Sequence, residues 1–166
     1  MEQVKIKLNG GIMPRKATPT DAAWDLYVPE DVLLRSGRQV IDLKFSMELP
    51  HGYAATIQPR SGFSLKGIEV DFTRIIEGQH CTTHCDSYRL DADVIRGLID
   101  ESYRDNVGVI LYVSDCILGK DSVVLKKNTR IAQMQIVKVP QVELVESKEI
   151  DMSNNRGGGF GHTGTK

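Results

Sequence analysis

Between residues 41 and 49 the chain alternates without a break: Ile41, Leu43, Phe45, Met47 and Leu49 on one side, Asp42, Lys44, Ser46 and Glu48 on the other. Successive side chains of a β-strand point to opposite faces, so this run reads as a strand with one dry face and one wet face. The same period of two recurs at Val4, Ile6 and Leu8 against Lys5 and Lys7, and at Tyr53, Ala55 and Ile57 after the turn Pro50-His51-Gly52. Residues 107–113 are almost continuously apolar, the pattern of a strand buried on both faces. Residues 123–125, 131–139 and 142–145 complete a series of short strands punctuated by Gly, Pro, Asn and Asp. Such a series predicts an all-β sandwich, jelly roll or barrel, and 166 residues suit one such domain.

Residues 91–103 admit two readings. Val94, Ile95, Leu98 and Ile99 would share one face of a helix, but Gly97 weakens a helix by about 1 kcal/mol. The other reading is a β-hairpin.

A net charge of −1 gives no basic field for nucleic acid. No apolar run approaches the ~20 residues that span a bilayer, and the charged, alternating start is not a signal peptide. The cysteines, Cys81, Cys85 and Cys116, are odd in number, as expected of reduced thiols in a cytoplasmic protein.

Four groups carry candidate chemistry. The tail Arg156-Gly157-Gly158-Gly159-Phe160-Gly161-His162-Thr163-Gly164 has too much glycine for a strand or helix of its own. Ordering it costs on the order of 10 kcal/mol at roughly 1–2 kcal/mol per residue, which a ligand or a partner surface has to offset. Arg156 offers a fork of donors for phosphate, the glycine N–H groups allow close approach, and Phe160 offers a flat face for a base or sugar. A plain glycine-rich terminus is the competing reading. In Pro59-Arg60-Ser61-Gly62, the Arg60 guanidinium, the Ser61 hydroxyl and the Gly62 N–H suit phosphate oxygens, although an ordinary surface turn has the same composition. Gly97-Leu98-Ile99-Asp100 with Tyr103 puts a carboxylate and an aromatic ring three residues apart. A hairpin would aim Asp100 at a water and lay Tyr103 against a sugar, whereas a helix would leave both on a wet face. In Arg130-Ile131-Ala132-Gln133, alternation sends Arg130 and Ala132 to one side and Ile131 and Gln133 to the other. Gln133 then shares a face with Val137 and Val139, and its amide needs a partner.

Taken together and in this order, these groups resemble the trimeric dUTPases (deoxyuridine triphosphate diphosphatases), whose pattern is five motifs. Asp21-Ala22-Ala23-Trp24-Asp25-Leu26 resembles the first, and the groups beginning at Pro59, Gly97, Arg130 and Arg156 resemble the second to fifth. The resemblance covers nearly the whole chain apart from a stretch near 71–93. It implies a dUTPase-like β-clip or jelly-roll body over residues 1–148, an arm over 149–166, and a homotrimer whose sites draw on all three chains. It also implies Mg2+-dependent hydrolysis of dUTP to dUMP and pyrophosphate. By position, Asp100 would be the general base and Tyr103 would pack under the sugar and exclude a 2′-hydroxyl. Arg60, Ser61, Gly62 and Gln133 would hold the phosphates, with Gly97 and Ile99 also at the substrate. Asp25 would meet the magnesium shell through water. Arg156 would reach the outer phosphate, and Phe160, followed by Gly161, would stack on the uracil. A dCTP deaminase of the same fold would need a Glu near the pyrimidine, and residues 109–113 offer none. A non-catalytic nucleotide-binding protein on this scaffold would have no use for Asp100.

Departures from the pattern are specific. Ala23 and Trp24 replace Gly and Tyr in the first motif, and Asp105 replaces the Gly after the third motif's Tyr-Arg. Val94 stands where the family commonly has an Asn contacting uracil. Base recognition then rests on backbone groups of the hairpin, or the preferred base differs. The stretch 71–93 is longer than usual and contains His80, Cys81, His84 and Cys85. Four such side chains match the ligand number of a zinc site, but consecutive pairs rarely point to one centre, and a surface insertion is the favoured reading.

Overall fold

The computed structural model describes residues 2–76, 79–82, 88–114 and 121–155. In chain order the elements are β1 (Lys5–Leu8), β2 (Trp24–Tyr27), β3 (Val32–Leu34), β4 (Gly37–Asp42), β5 (Phe45–Glu48) and β6 (Tyr53–Gln58). A short helix, α1 (Ser61–Lys66), precedes β7 (Ile68–Ile76), β8 (Gln79–Thr82), β9 (Tyr88–Leu90), β10 (Ala92–Ile95) and β11 (Gly97–Ile99). The series closes with β12 (Gly108–Val113), β13 (Asp121–Leu125) and β14 (Arg130–Lys138). The strands pair antiparallel in four sets: β1-β5, β10-β12-β4, β11-β6-β14-β2, and β3-β13-β7-β8 with β9 on β7. The fold is therefore all-β, as the alternation predicts.

The run from 41 to 49 keeps its dry face: Ile41, Leu43, Phe45, Met47 and Leu49 are all buried. It is nonetheless two strands in two sheets. Ile41 of β4 pairs with Val109 of β12, while Phe45 of β5 pairs with Leu8 of β1. The change of sheet is made at Lys44, whose φ of 53° lies in the left-handed region that L-residues avoid. Local bonds hold it there. Lys44 N–H donates to Asp42 Oδ1 at 2.8 Å, and Lys44 O accepts from Asn9 N–H at 2.8 Å. Hydrophobic period survives this kink because the chain still places every second residue inward.

Five other expectations need correction. Residues 91–103 form no helix: β10 and β11 occupy Ala92–Ile99, and a turn follows. Within β12, Val109, Leu111 and Val113 are buried, but Ile110 and Tyr112 are 37% and 38% exposed, since no second layer covers that face within one chain. Conversely β6, a central strand bonded to β11 and β14, is buried on both faces, Ala54 and Thr56 included. Residues 142–145 form no strand; Val142, Leu144 and Val145 are exposed and have no strand partner. Strict alternation also fails at the start of β14, where the register slips between Arg130 and Ala132. This bulge lets Ile131 and Ala132 both be buried.

The core lies between the sheets, with Leu26, Leu43, Phe45, Ile57, Leu111 and Ile131 among its fully enclosed side chains. Phe63, 5% exposed, pins α1 to it. The described part of the long stretch near 71–93 is taken up by the end of β7, by β8 and β9, which pair with β7, and by the start of β10. His80 and Cys81 belong to β8, while His84, Cys85 and Cys116 lie outside the described residues. Among the described residues no helix is long and apolar enough to cross a membrane.

The kink constrains its neighbour Gly11, where an added Cβ would overlap the carbonyl oxygens of Leu43 and Lys44. Backbone oxygens cannot step aside as a flexible side chain can. Gly11→Ala is expected to lose about 2 kcal/mol or more of stability, the scale of overpacking a close contact. Urea denaturation of the two proteins measures it, and equal midpoints would show that the contact relaxes freely.

Candidate active site

Strand β14 is bonded on both sides, and its register sets Gln133 opposite Gln58 of β6 on one flank and Asp25 of β2 on the other. Past Gln58 the chain turns through Pro59 and Arg60 into α1. Gln133 Nε2 donates to the carbonyl of Pro59 at 3.1 Å, so the half-buried amide finds its partner in the turn beside it. Arg60 caps α1 in an extended conformation (φ −84°, ψ 141°), and its Nε donates to Asp25 Oδ1 at 2.8 Å. Arg130 Nη1 donates to the other oxygen, Oδ2, at 3.3 Å.

Asp25 is thus held between two guanidiniums with its side chain only 14% exposed. A carboxylate taken this far out of water is tolerated because both oxygens receive charged donors. Two arginines against one aspartate leave one positive charge in excess, at the mouth of a depression of about 240 Å³ lined by Arg60, Gly62, Phe63, Arg89 and Arg130. Ser61 and Gly62 are exposed in the first turn of α1, where helix N–H groups lack intrahelical partners. A Cβ at Gly62 would meet nothing within 4 Å, so its surroundings are open to a ligand. In the fourth group the sequence assigns a role only to Gln133, and none to Arg130. The bulge that re-aims it has no marker beyond its place at the head of Arg130-Ile131-Ala132-Gln133.

A second cluster forms where β11 leaves β6. Gly97 pairs with Ile57 and Ile99 with Ala55, and the turn beyond carries Asp100, exposed, and Tyr103, 39% exposed. Tyr103 N–H bonds to Asp100 O at 3.1 Å, and the Tyr103 hydroxyl donates to Asn106 O at 2.9 Å. Glu101 ties the turn to the β5–β6 turn. Its Oε2 accepts from Gly52 N–H at 2.8 Å, and its Oε1 lies 3.1 Å from His51 Nδ1. The N–H of Gly52 and then His51 hold the Glu101 carboxyl below the usual range. Gly97, Leu98, Ile99, Tyr103 and Ile110 line a pocket of about 260 Å³. Val94 is buried at 3%, packed in the core.

The structure brings Asp25, Arg60, Ser61, Gly62 and Gln133 together; Gly97, opposite Ile57, starts β11 beside that group, but the strand runs away from it and carries the Asp100–Tyr103 turn toward the other end of β6. Arg60 follows the Gln58 end of β6, whereas Asp100 follows Ile99, which pairs with Ala55 near the other end. From Ala55 to Gln58 is three residue steps of β6, about 10 Å at ~3.3 Å per residue. Arg156, Phe160 and Gly161 lie outside the described residues.

A model of the dUTPase family matches residues 9–83 and 87–164 of the chain. The deoxyuridine 5′-triphosphate nucleotidohydrolase of Hydrogenobaculum sp. (strain Y04AAS1) is 36% identical over 157 residues, covering 93% of this chain and 91% of that protein. The Clostridium acetobutylicum protein of the same name is 34% identical over 169 residues, covering 100% of this chain and 99% of its own. Among solved structures, the dUTPase of Staphylococcus bacteriophage 80alpha with dUpNHpp superposes at a TM-score of 0.71 with 25% identity, covering 99% of both chains.

The Glu101 clasp has a pH signature. Its carboxyl titrates lower in the folded state than in the unfolded chain, so its stabilisation is complete above the ordinary glutamate value of ~4.3 and is lost as pH falls through the folded value. Wild type is expected to be more stable than Glu101→Ala at pH 7, with the gap narrowing at pH 3. Urea denaturation at the two pH values measures it; a gap of equal size at both would place the stabilisation outside the carboxylate.

Proposed function

This chain belongs to the dUTPase family, and on that premise we propose that it hydrolyses dUTP to dUMP and pyrophosphate. Water attacks the α-phosphorus, the bond to the bridging oxygen of the β-phosphate breaks, and the proton of the water passes to Asp100. The observation that supports this most is the pair of half-sites: a cationic cluster around Asp25 for phosphates, and a turn presenting a carboxylate beside an aromatic ring.

Each residue has work suited to its setting. Arg60 and Arg130 offset the charge of the triphosphate, which must be neutralised before a nucleophile approaches phosphorus. The Ser61 hydroxyl and Gly62 N–H add neutral donors. Gln133 uses one N–H on Pro59 and keeps the second for a phosphate oxygen. Asp100, an exposed carboxylate, accepts the proton of a water within hydrogen-bond reach. Tyr103 packs against the deoxyribose. Gly97 and Ile99 supply backbone groups to the base, a role that the buried Val94 cannot take. The arm, residues 149–166, closes over the site with Arg156 on the outer phosphate and Phe160 and Gly161 against the pyrimidine, excluding water and aligning the reactants.

The donor set fits magnesium delivered by the substrate. Among the described residues there is no group of three or more His, Cys, Asp or Glu side chains to cage an ion. A lone carboxylate such as Asp25, reaching the ion through water, is the usual protein share when phosphate oxygens do the rest. Bound there, Mg2+ would neutralise phosphate charge.

The separation of the half-sites along β6 favours a shared site, one chain supplying the arginines and another the hairpin. We infer a homotrimer. Val40, Leu98 and Ile110, exposed at 68%, 64% and 37%, give one apolar area for a neighbour to cover, and Val142, Leu144 and Val145 give another. Three cysteines, an odd count, suit a reducing cytoplasm.

Turnover of dUTP, dTTP, dCTP and UTP, followed by pyrophosphate and ammonia release, tests the reaction. Pyrophosphate from dUTP is expected to dominate, and ammonia from dCTP would overturn the reading. Asp100→Asn is expected to lower kcat by at least ~100-fold, the usual scale for a general base, while nucleotide binding persists. Undiminished turnover would remove Asp100 from this role. Deleting residues 156–166 is expected to leave a folded oligomer, seen by sedimentation, with weak turnover; full activity in that truncation would refute the lid.

A further inference from the structure

The hydroxyl of Tyr103 is fastened to a carbonyl that is itself clamped from two sides. That carbonyl belongs to Asn106 and accepts the Tyr103 proton at 2.9 Å. The Asn106 side chain uses both ends of its amide: Oδ1 accepts from Asn9 Nδ2 at 2.8 Å, and Nδ2 donates to Asp42 Oδ2 at 3.1 Å. Both partners are rooted in the Lys44 kink. Asn9 N–H bonds to Lys44 O at 2.8 Å, and Asp42 Oδ1 takes the Lys44 N–H at 2.8 Å. The next residue is pinned to the same place, Val107 N–H to Phe45 O at 2.7 Å and Leu43 N–H to Val107 O at 2.9 Å. A line of hydrogen bonds therefore runs from the junction of two sheets to the ring of Tyr103.

We propose that Asn106, clamped by Asn9 and Asp42, is a positioning residue that selects the sugar: it holds the Tyr103 ring where a ribose 2′-hydroxyl would have to go. The inference rests on the reading that Tyr103 packs against the deoxyribose. The position calls for an amide, because a donor is needed toward Asp42 and an acceptor toward Asn9 at once. Without the clamp the Asn106–Val107 peptide is held only by the Val107 N–H bond to Phe45 O, so its carbonyl can tilt about that bond, the tyrosine hydroxyl follows it, and the ring yields to a bulkier sugar. A merely structural Asn106 would affect stability and leave the choice between sugars untouched.

The measurement is kcat and KM for dUTP and UTP in the full-length protein, expressed as the ratio of the two kcat/KM values. Asn106→Ala is expected to lower that ratio about fivefold, the reach of one net hydrogen bond, mainly by raising kcat/KM for UTP. Tyr103→Phe is expected to lower it similarly, and the double variant no further, since the two act through one bond. Asn106→Asp sets a carboxylate against Asp42 and is expected to stay defective. The exchange N106D/D42N returns a donor to that contact while keeping acceptors for Asn9 and for the Lys44 N–H, and it is expected to restore the ratio. Asn9→Ala, at an exposed side chain, tests the same clamp if Asn106→Ala does not fold. A wild-type ratio in Asn106→Ala or Asn9→Ala, with Tyr103→Phe shifted, would overturn the proposal. A wild-type ratio in Tyr103→Ala would instead sink the sugar-contact reading, and the inference would fall with it.

Discussion

The two-sided ladder of β14 organises the molecule. Bonded to β6 along one edge and β2 along the other, it fixes three segments far apart in sequence at one level of one sheet. Asp25, Gln133 and the turn after Gln58 meet because the register allows no other pairing: a slip of one residue would turn every side chain of a strand to the opposite face. The buried flanks, Leu26, Ile57, Ile131 and Met134, enforce that register, since any slip would bring them to water. Precision at the polar end of the sheet is thus supplied by apolar packing along its length.

On this frame the charges are arranged economically. Asp25 carries no obvious reaction of its own, yet it sets the direction of two guanidiniums. An arginine left in water samples many rotamers, and a bound anion would have to collect it. One already fixed by a carboxylate has lost most of that freedom before any ligand arrives. The turn that carries Asp100 is fixed by similar means. Glu101 fastens it to Gly52, and Arg104 Nη1 donates to the carbonyls of Glu101 and Tyr103 at 2.5 and 2.9 Å. Asp100 remains exposed between these supports.

The sequence reveals the inward face of each strand better than its extent. Ile41 to Leu49 marks five buried positions correctly, but alternation is blind to φ, so the break at Lys44 and the change of sheet leave no trace in the pattern. The bulge after Arg130 is hidden for the same reason, and with it the second arginine on Asp25. Residues 142–145 look like a strand because hydrophobicity says that a surface wants cover, not which element provides it. Residues 91–103 were ambiguous because β10 and β11 meet within a few residues, giving spacings that a helix would share. The candidate site was legible as a set of motifs. That the Asp100 turn lies toward the end of β6 away from Arg60 was not, since motif order along a chain says nothing about distance across a sheet.

That separation has a consequence for mixed populations of the protein. In an assembly where every site joins the arginines of one chain to the hairpin of another, a defect does not stay with the chain that bears it. A copy damaged at Asp100 spoils a site that its neighbour's sound arginines were meant to serve. If the site is shared as proposed, two copies with different injuries, one at Arg60 and one at Asp100, would each be inert alone, yet once mixed would rebuild some complete sites from their undamaged halves. The unit on which heredity acts would then be the interface, and two alleles, each null by itself, would complement inside a single oligomer.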